Sequence, residues 1–384
     1  MNILKCIPLM LLSLPLWSME TCDAVNEQDA AAYVEDEALV EEWNHARELT
    51  AADCWFIELS QHLMQHEDSN IKMLGAGQMH FHNDDTMYSN LAEPLISKQE
   101  LSAVITDLLH DPNASLDSLL LAQYVCDDAE LSCSLTTINE ATQIRQPNNM
   151  VVYLSDLEMA VAQQDLEWAG AILQRMGQTD QHRMFHPLPL QLTDAIETYL
   201  RSQPLSDQAR DVLVQNFSPE PDASIDDLAR NHFLLQADMM KFLFLQAYAP
   251  LFEACEYSPK RADVCLTIGQ IMIENSDSSL AKLLGHGLQS KVHQMLGDEK
   301  AEATSKANSK ALSDRLQCLV ANHHLLNESI FYSDASTHIM LNANSEFERL
   351  EKMAVLYHDT LREQGVTDLV DPVSCELAYV ERKP

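Results

Sequence analysis

Apolar positions recur every three or four residues along most of the chain, and polar turns separate the stripes. That is the 3.6-residue period of amphipathic helices. The stretch 111–177 shows it most clearly. Leu119, Ala122 and Cys126 form one stripe, Asp127-Asp128-Ala129-Glu130 turns the chain, and Leu131, Leu135, Ile138 and Ala141 form the next. Pro147 cannot continue a helix, and Asn148-Asn149 favours a new start. Val151, Leu154, Leu157 and Val161 then pair, through Gln163-Gln164-Asp165, with Leu166, Ala169, Leu173 and Met176. Gly177 follows, in the place of a left-handed C-cap. The pattern predicts two consecutive helical hairpins.

The same reading extends in both directions. Thr50 is placed to cap a helix through Trp55, Leu59 and Leu63 to His66, and Asp68-Ser69-Asn70 separates it from another ending near Met79. Ser97-Lys98-Gln99-Glu100 has the form of a capping box. Further helices are predicted over 190–201, 207–217, 225–248 and 280–296, with a hairpin over 251–274. Two long ones are predicted over 298–326 and 335–364, the last ended by Gly365. Ser218-Pro219-Glu220-Pro221-Asp222 marks a boundary, because paired prolines and acids seldom sit inside a packed element. It separates an N-terminal helical-repeat region, 19–218, from a C-terminal helical region, 222–384.

Composition supports an all-α class. The 384 residues include only 9 glycines, about 2% against a usual ~7%. Glycine-rich nucleotide folds and most all-β architectures are poor fits, and period-2 alternation is nearly absent. Residues 1–18 read as a signal peptide: Lys5 supplies a positive start, Cys6–Trp17 an apolar core, and Ser18 a small residue for cleavage. A transmembrane helix needs about 20 apolar residues. The mature chain is therefore expected in a periplasm or outside the cell, with no membrane insertion after cleavage. Met19-Glu20-Thr21 before Cys22 lacks the small apolar residues of a lipoprotein site.

The formal net charge is −35. Such a surface repels phosphate backbones and anionic lipid, so nucleic acid is excluded as a partner. Cleavage would leave Cys22, Cys54, Cys126, Cys133, Cys255, Cys265, Cys318 and Cys375, an even set suited to an oxidising compartment. Cys126 with Cys133 and Cys255 with Cys265 each flank a short polar turn and are expected to be bridged. The sequence leaves the pairing of the other four open, with Cys22 to Cys54 and Cys318 to Cys375 the expected arrangement.

Two stretches resemble repeat families. Ala254-Cys255, then Cys265-Leu266-Thr267-Ile268-Gly269, resembles the disulfide-stapled turn of Sel1-like, cysteine-rich helical repeats. Gln164-Asp165-Leu166-Glu167-Trp168-Ala169, with Tyr153 near the usual aromatic position, is similar to the turn of tetratricopeptide repeats. The resemblance covers about a third of the chain. It implies an α-solenoid-like stack of antiparallel helical hairpins that binds a protein or peptide partner on a concave face.

Candidate chemistry is sparse. His80-Phe81-His82-Asn83-Asp84-Asp85 holds zinc-ligand types, with His80, His82 and Asp84 the candidate metal ligands. The spelling is similar to the H-x-H-x-D run of metallo-β-lactamase-like hydrolases, but their strands and glycine-rich loops are not evident here. His62 and His66 stand at i and i+4 on the predicted helix, without the Glu of an H-E-x-x-H site. Ser279-Leu280-Ala281-Lys282 spells S-x-x-K without its K-T-G or S-D-N companions, so Ser279 reads as a cap. His323-His324 follows Cys318, which reads as bridged. No P-loop, G-x-S-x-G, Rossmann fingerprint or EF-hand loop is present, and no cofactor is expected. Two functional readings stand: a secreted or periplasmic protein- or peptide-binding scaffold without catalysis, and, as the alternative, a metal-dependent hydrolase using His80, His82 and Asp84.

Overall fold

Short polar side chains set most of the helix starts. A computed structural model describes residues 49–82, 94–129, 131, 133–184, 188–217, 224–243, 248–256, 259–326 and 328–375. Among them are sixteen α-helices and no strand, only two isolated bridges. The first eight are α1 (Ala51–Leu63), α2 (Ser69–Phe81), α3 (Lys98–His110), α4 (Leu116–Asp128), α5 (Leu135–Arg145), α6 (Leu154–Ala162), α7 (Leu166–Met176) and α8 (Leu190–Ser202). Then come α9 (Asp207–Phe217), α10 (Ile225–Leu243), α11 (Ala249–Glu256), α12 (Ala262–Glu274), α13 (Ser279–Leu296), α14 (Glu299–Leu319), α15 (Asp334–Asn342) and α16 (Glu346–Glu363). Thr50 and Ser97 close capping boxes with Asp53 and Glu100. Asp165, Ser278 and Ser345 accept the amides of Trp168, Ala281 and Glu348.

Several boundaries differ from the periodicity. Ser134 caps α5, so Leu131 stays in the turn and donates its N–H to the Cys126 carbonyl at 3.1 Å. Gly177 is right-handed, with φ −69°. Its missing side chain admits Val264 instead, whose Cγ2 would stand 2.6 Å from a Cβ there. The left-handed residue of that hairpin is Gln164, φ 57°. The helix predicted over 298–326 stops at Leu319, because Asn322 turns away to bond the N–H and carbonyl of Val370 at 3.0 and 2.8 Å. The helix predicted over 335–364 is two. Ser345 starts the second, and the Glu348 carboxylate accepts from Asn344. The 1–18 segment, Cys22, Asp84 and the 218–222 boundary lie outside the described residues.

One buried apolar cluster extends from Leu49 to Val292. Its packing is not confined to chain neighbours. Trp55 on α1 donates its indole N–H to the Gln203 carbonyl at 3.1 Å and stands 5.6 Å from Tyr199 of α8. Phe56 stacks 4.9 Å from His232 of α10. A smaller cluster, Leu319, Ala354 and Cys375, closes the other end. Between them, half-buried Arg349 of α16 pairs with buried Asp238 of α10.

Disulfides join Cys126 to Cys133, Cys255 to Cys265 and Cys318 to Cys375, with Cα separations of 6.1, 5.9 and 5.6 Å. Cys54 is disulfide-bonded as well. Among the described residues no helix is long and apolar enough to cross a membrane.

Candidate functional site

The histidines of the metal reading do not converge. His80 lies in the last turn of α2 and His82 is its C-cap. Helical residues two apart face roughly 200° from each other, so the pair cannot grip one ion as an H-x-H run in extended chain does. His62 and His66 do not share a helix either, since α1 ends at Leu63. His66 instead accepts the Asp68 N–H, and His62 stacks 5.1 Å from Tyr199. His323 packs edge-on against Tyr357 at 5.0 Å, and Cys318 is spent in its disulfide. Among the described residues no three His, Cys, Asp or Glu side chains cluster as a metal site. Ser279 opens α13 and gives its N–H to Glu346, while Lys282 bonds the Ile273 carbonyl, so the S-x-x-K pair is not a catalytic couple.

A groove of about 740 Å³ lies instead among α12, α13, α14 and α16. Its construction starts with two glycines. Gly269 on α12 faces Gly285 on α13, and a Cβ on Gly285 would stand 2.8 Å from the Gly269 carbonyl. Bare backbones let the two helices touch, which brings the side chains on either side of the contact to one rim. Gln289 donates to Gln270 across that seam at 2.9 Å.

The turn between α12 and α13 is clamped from two sides. Fully buried His182 lies in a bridge with Ser276, and its Nδ1 meets the Ser276 hydroxyl at 2.9 Å. Its Nε2 meets the Tyr248 hydroxyl at 2.8 Å, and that hydroxyl donates to the Met184 sulfur. Met184 N–H adds a bond to Asp277 Oδ1 at 2.9 Å. From the other side, Glu346 of α16 accepts from the Ser278 hydroxyl and the Ser279 N–H at 3.0 and 2.7 Å. These ties fix Asp277, Ser276 and Phe347 around the groove.

The serine–imidazole contact serves that clamp and not acyl chemistry. Burial holds His182 down to about 4, and a base that deeply buried is a poor proton acceptor for a serine.

The groove wall carries unused hydrogen-bonding capacity. His286 on α13 is 8% exposed, makes no hydrogen bond, and has its Nδ1 sealed from solvent without a partner. Leaving such a nitrogen unpaired costs on the order of 1–3 kcal/mol. Lys282, one turn earlier, donates to the Ile273 carbonyl at 2.9 Å and forms no ion pair. Burial lowers its pKa, and Asp277 opposes part of that. His286 is lowered by burial and then by the Lys282 charge. Opposite, on α14, the Asn308 amide lines the groove with no side-chain hydrogen bond. Arg315 is occupied: it pairs with Glu351 and stacks 5.1 Å above Phe347.

The chain matches no protein-family profile, no curated protein and no solved structure.

The site therefore rests on geometry. Its residues come from 270–351 and carry no shared motif. Gly269 and Gly285, two of nine glycines and both inside good helical stripes, were the available signal, since a helix-interior glycine often marks close backbone approach. A mixed wall of amides, carboxylates, one ammonium, one guanidinium, one imidazole and an aromatic ring can hold an extended polar ligand.

Proposed function

We propose that this chain is a non-catalytic helical-repeat scaffold that holds a peptide segment of a partner protein in the groove among α12, α13, α14 and α16. The observation that carries the reading is the set of unspent donors and acceptors on Lys282, His286 and Asn308 beside the Phe347 ring. A peptide backbone supplies alternating N–H and C=O groups that such amide and cationic side chains satisfy, while the ring takes an apolar side chain. In this reading α12, α13 and α14 stack as successive antiparallel helices of a solenoid-like array, as the resemblance to Sel1-like and tetratricopeptide repeats implies. The disulfides are compatible with an oxidising compartment, and secretion to a periplasm or the exterior belongs to the same proposal.

The test is selection of a random peptide library on the oxidised protein, followed by rebinding to an Asn308→Ala variant. The reading expects enriched peptides whose binding weakens at least tenfold in the variant. Enrichment of peptides indifferent to Asn308, or no enrichment at all, would count against it.

A further inference from the structure

Within that peptide-binding reading, on which this inference rests, we propose that Lys282 and His286 together receive one carboxylate of the ligand, and that His286 takes up a proton as the carboxylate binds.

The two residues sit at i and i+4 on α13, so they occupy one face. Both line the groove. His286 has no hydrogen bond, and only Nδ1 is sealed, so Nε2 is the ring nitrogen open to the ligand. The Lys282 ammonium has three N–H donors and spends one on the Ile273 carbonyl. With Nδ1 carrying the proton of the neutral ring, Nε2 is the nitrogen that gains a proton on binding, and it and the Lys282 ammonium on the same face, neither with an anionic partner, fit an acceptor with two oxygens. Arg315, the other cation in the groove, has its charge already paired with Glu351 and its plane on Phe347, and its Nε is sealed from solvent.

Charge selects a monoanion. The groups around this face are Glu274 and Asp277 on the α12 side, Asp314, Lys306, Lys310 and Arg315 on α14, and Glu351 on α16. On α11, Glu256 is paired with Lys291. Lys306 and Lys310 hold Glu302 and Asp314. A dianionic phosphate would meet Glu274, Asp277 and Glu351 and the field of a −35 chain. A single carboxylate on an otherwise neutral or basic peptide does not carry that excess charge.

Neutral imidazole in the free protein and imidazolium beside a carboxylate make binding proton-linked. A nearby negative charge favours the charged form of His286 and offsets the repulsion from Lys282. Binding then tightens as pH falls through the raised bound-state value of His286 and levels off below its lowered free value.

The experiment titrates the oxidised full chain with sodium acetate, using sodium chloride at equal ionic strength as control. His286 ring signals are followed by NMR and assigned with His286→Gln. Acetate is expected to saturate, to raise the His286 midpoint by about one pH unit, and to lose this effect in Lys282→Gln. Sodium phosphate is expected to bind more weakly than acetate. A tri-alanine peptide with a free carboxyl terminus, its amide, and an amidated peptide with one internal Glu then tell a terminal from a side-chain carboxylate. No acetate effect beyond chloride, or the same effect in Lys282→Gln, overturns the inference. If library peptides still bind through Asn308 in that case, the scaffold reading survives. If acetate binds and no peptide does, the anion site stands and the scaffold reading fails.

Discussion

The Gly269 carbonyl lies 2.8 Å from where a Cβ on Gly285 would be, so α12 and α13 meet backbone to backbone. Met272 Cβ crowds the same position at 2.8 Å. Neither neighbour is the end of a flexible side chain, so Gly285→Ala forces the helices apart. The expected loss is about 1–3 kcal/mol, the range for overpacking, read from the urea midpoint. Gly287→Ala on the same helix is the control. Its Cβ would meet only Phe252, at 3.7 Å, and alanine's helix propensity should stabilise by up to about 1 kcal/mol.

His182 gives the fold a pH dependence with a defined sign. Its folded value is about 4 against an ordinary 6.5. The unfolded chain therefore binds a proton first, and stability is fully present above pH 6.5. It declines between 6.5 and 4 by on the order of 3 kcal/mol and is flat from this group below that. His232, also lowered to about 4 by burial, acts in the same direction. Urea midpoints measured from pH 8 to 4 should fall less steeply for His182→Asn than for the wild type. Equal slopes would remove His182 from the account.

The Arg349–Asp238 pair joins α16 to α10 with side chains 12% and 4% exposed. Arg349 also donates to the Met340 carbonyl at 3.0 Å, holding α15 against α16 at the break in the chain. Asp238→Ala leaves a buried guanidinium uncompensated and should cost about 3–5 kcal/mol. The double variant Asp238→Leu with Arg349→Met should recover much of that loss in chemical denaturation. No recovery would mean that specificity, not charge, holds the pair.

Of the three pairs of described cysteines, Cys318–Cys375 closes the largest loop, with a sequence separation of 57 against 10 for Cys255–Cys265. Chain entropy predicts losses of about 4 and about 3 kcal/mol on removing them. The long bridge also anchors a small cluster of Leu319, Ala354 and Cys375, which has little apolar area to substitute for it. Replacing each pair by alanine and comparing melting temperatures should rank them in that order, with far-UV helicity largely kept. The reverse ranking would contradict the loop argument.

Much of the architecture is legible from apolar spacing and caps. Thr50 and Ser97 cap where the pattern places them, and Cys126 and Cys133 flank their turn as expected. What spacing misses is where a helix stops for a tertiary reason. Asn322 leaves its stripe for Val370, and Ser345 splits a continuous stripe into two helices. Gly177 reads as a cap but serves as a gap for Val264. The groove was not legible, because an unused hydrogen bond has no period. His286 and Asn308 look like any polar helix positions until α12, α14 and α16 are placed around them.

The most direct test of the central claim is calorimetric titration of one library-selected peptide into the oxidised protein, its Asn308→Ala variant, and a Lys72→Ala variant. Lys72 forms a surface ion pair with Asp107 at 3.4 Å and does not line the groove. The account predicts wild-type affinity for Lys72→Ala and at least tenfold weaker binding for Asn308→Ala, with both variants equally folded. Equal affinity in all three proteins would place the binding surface elsewhere and contradict it.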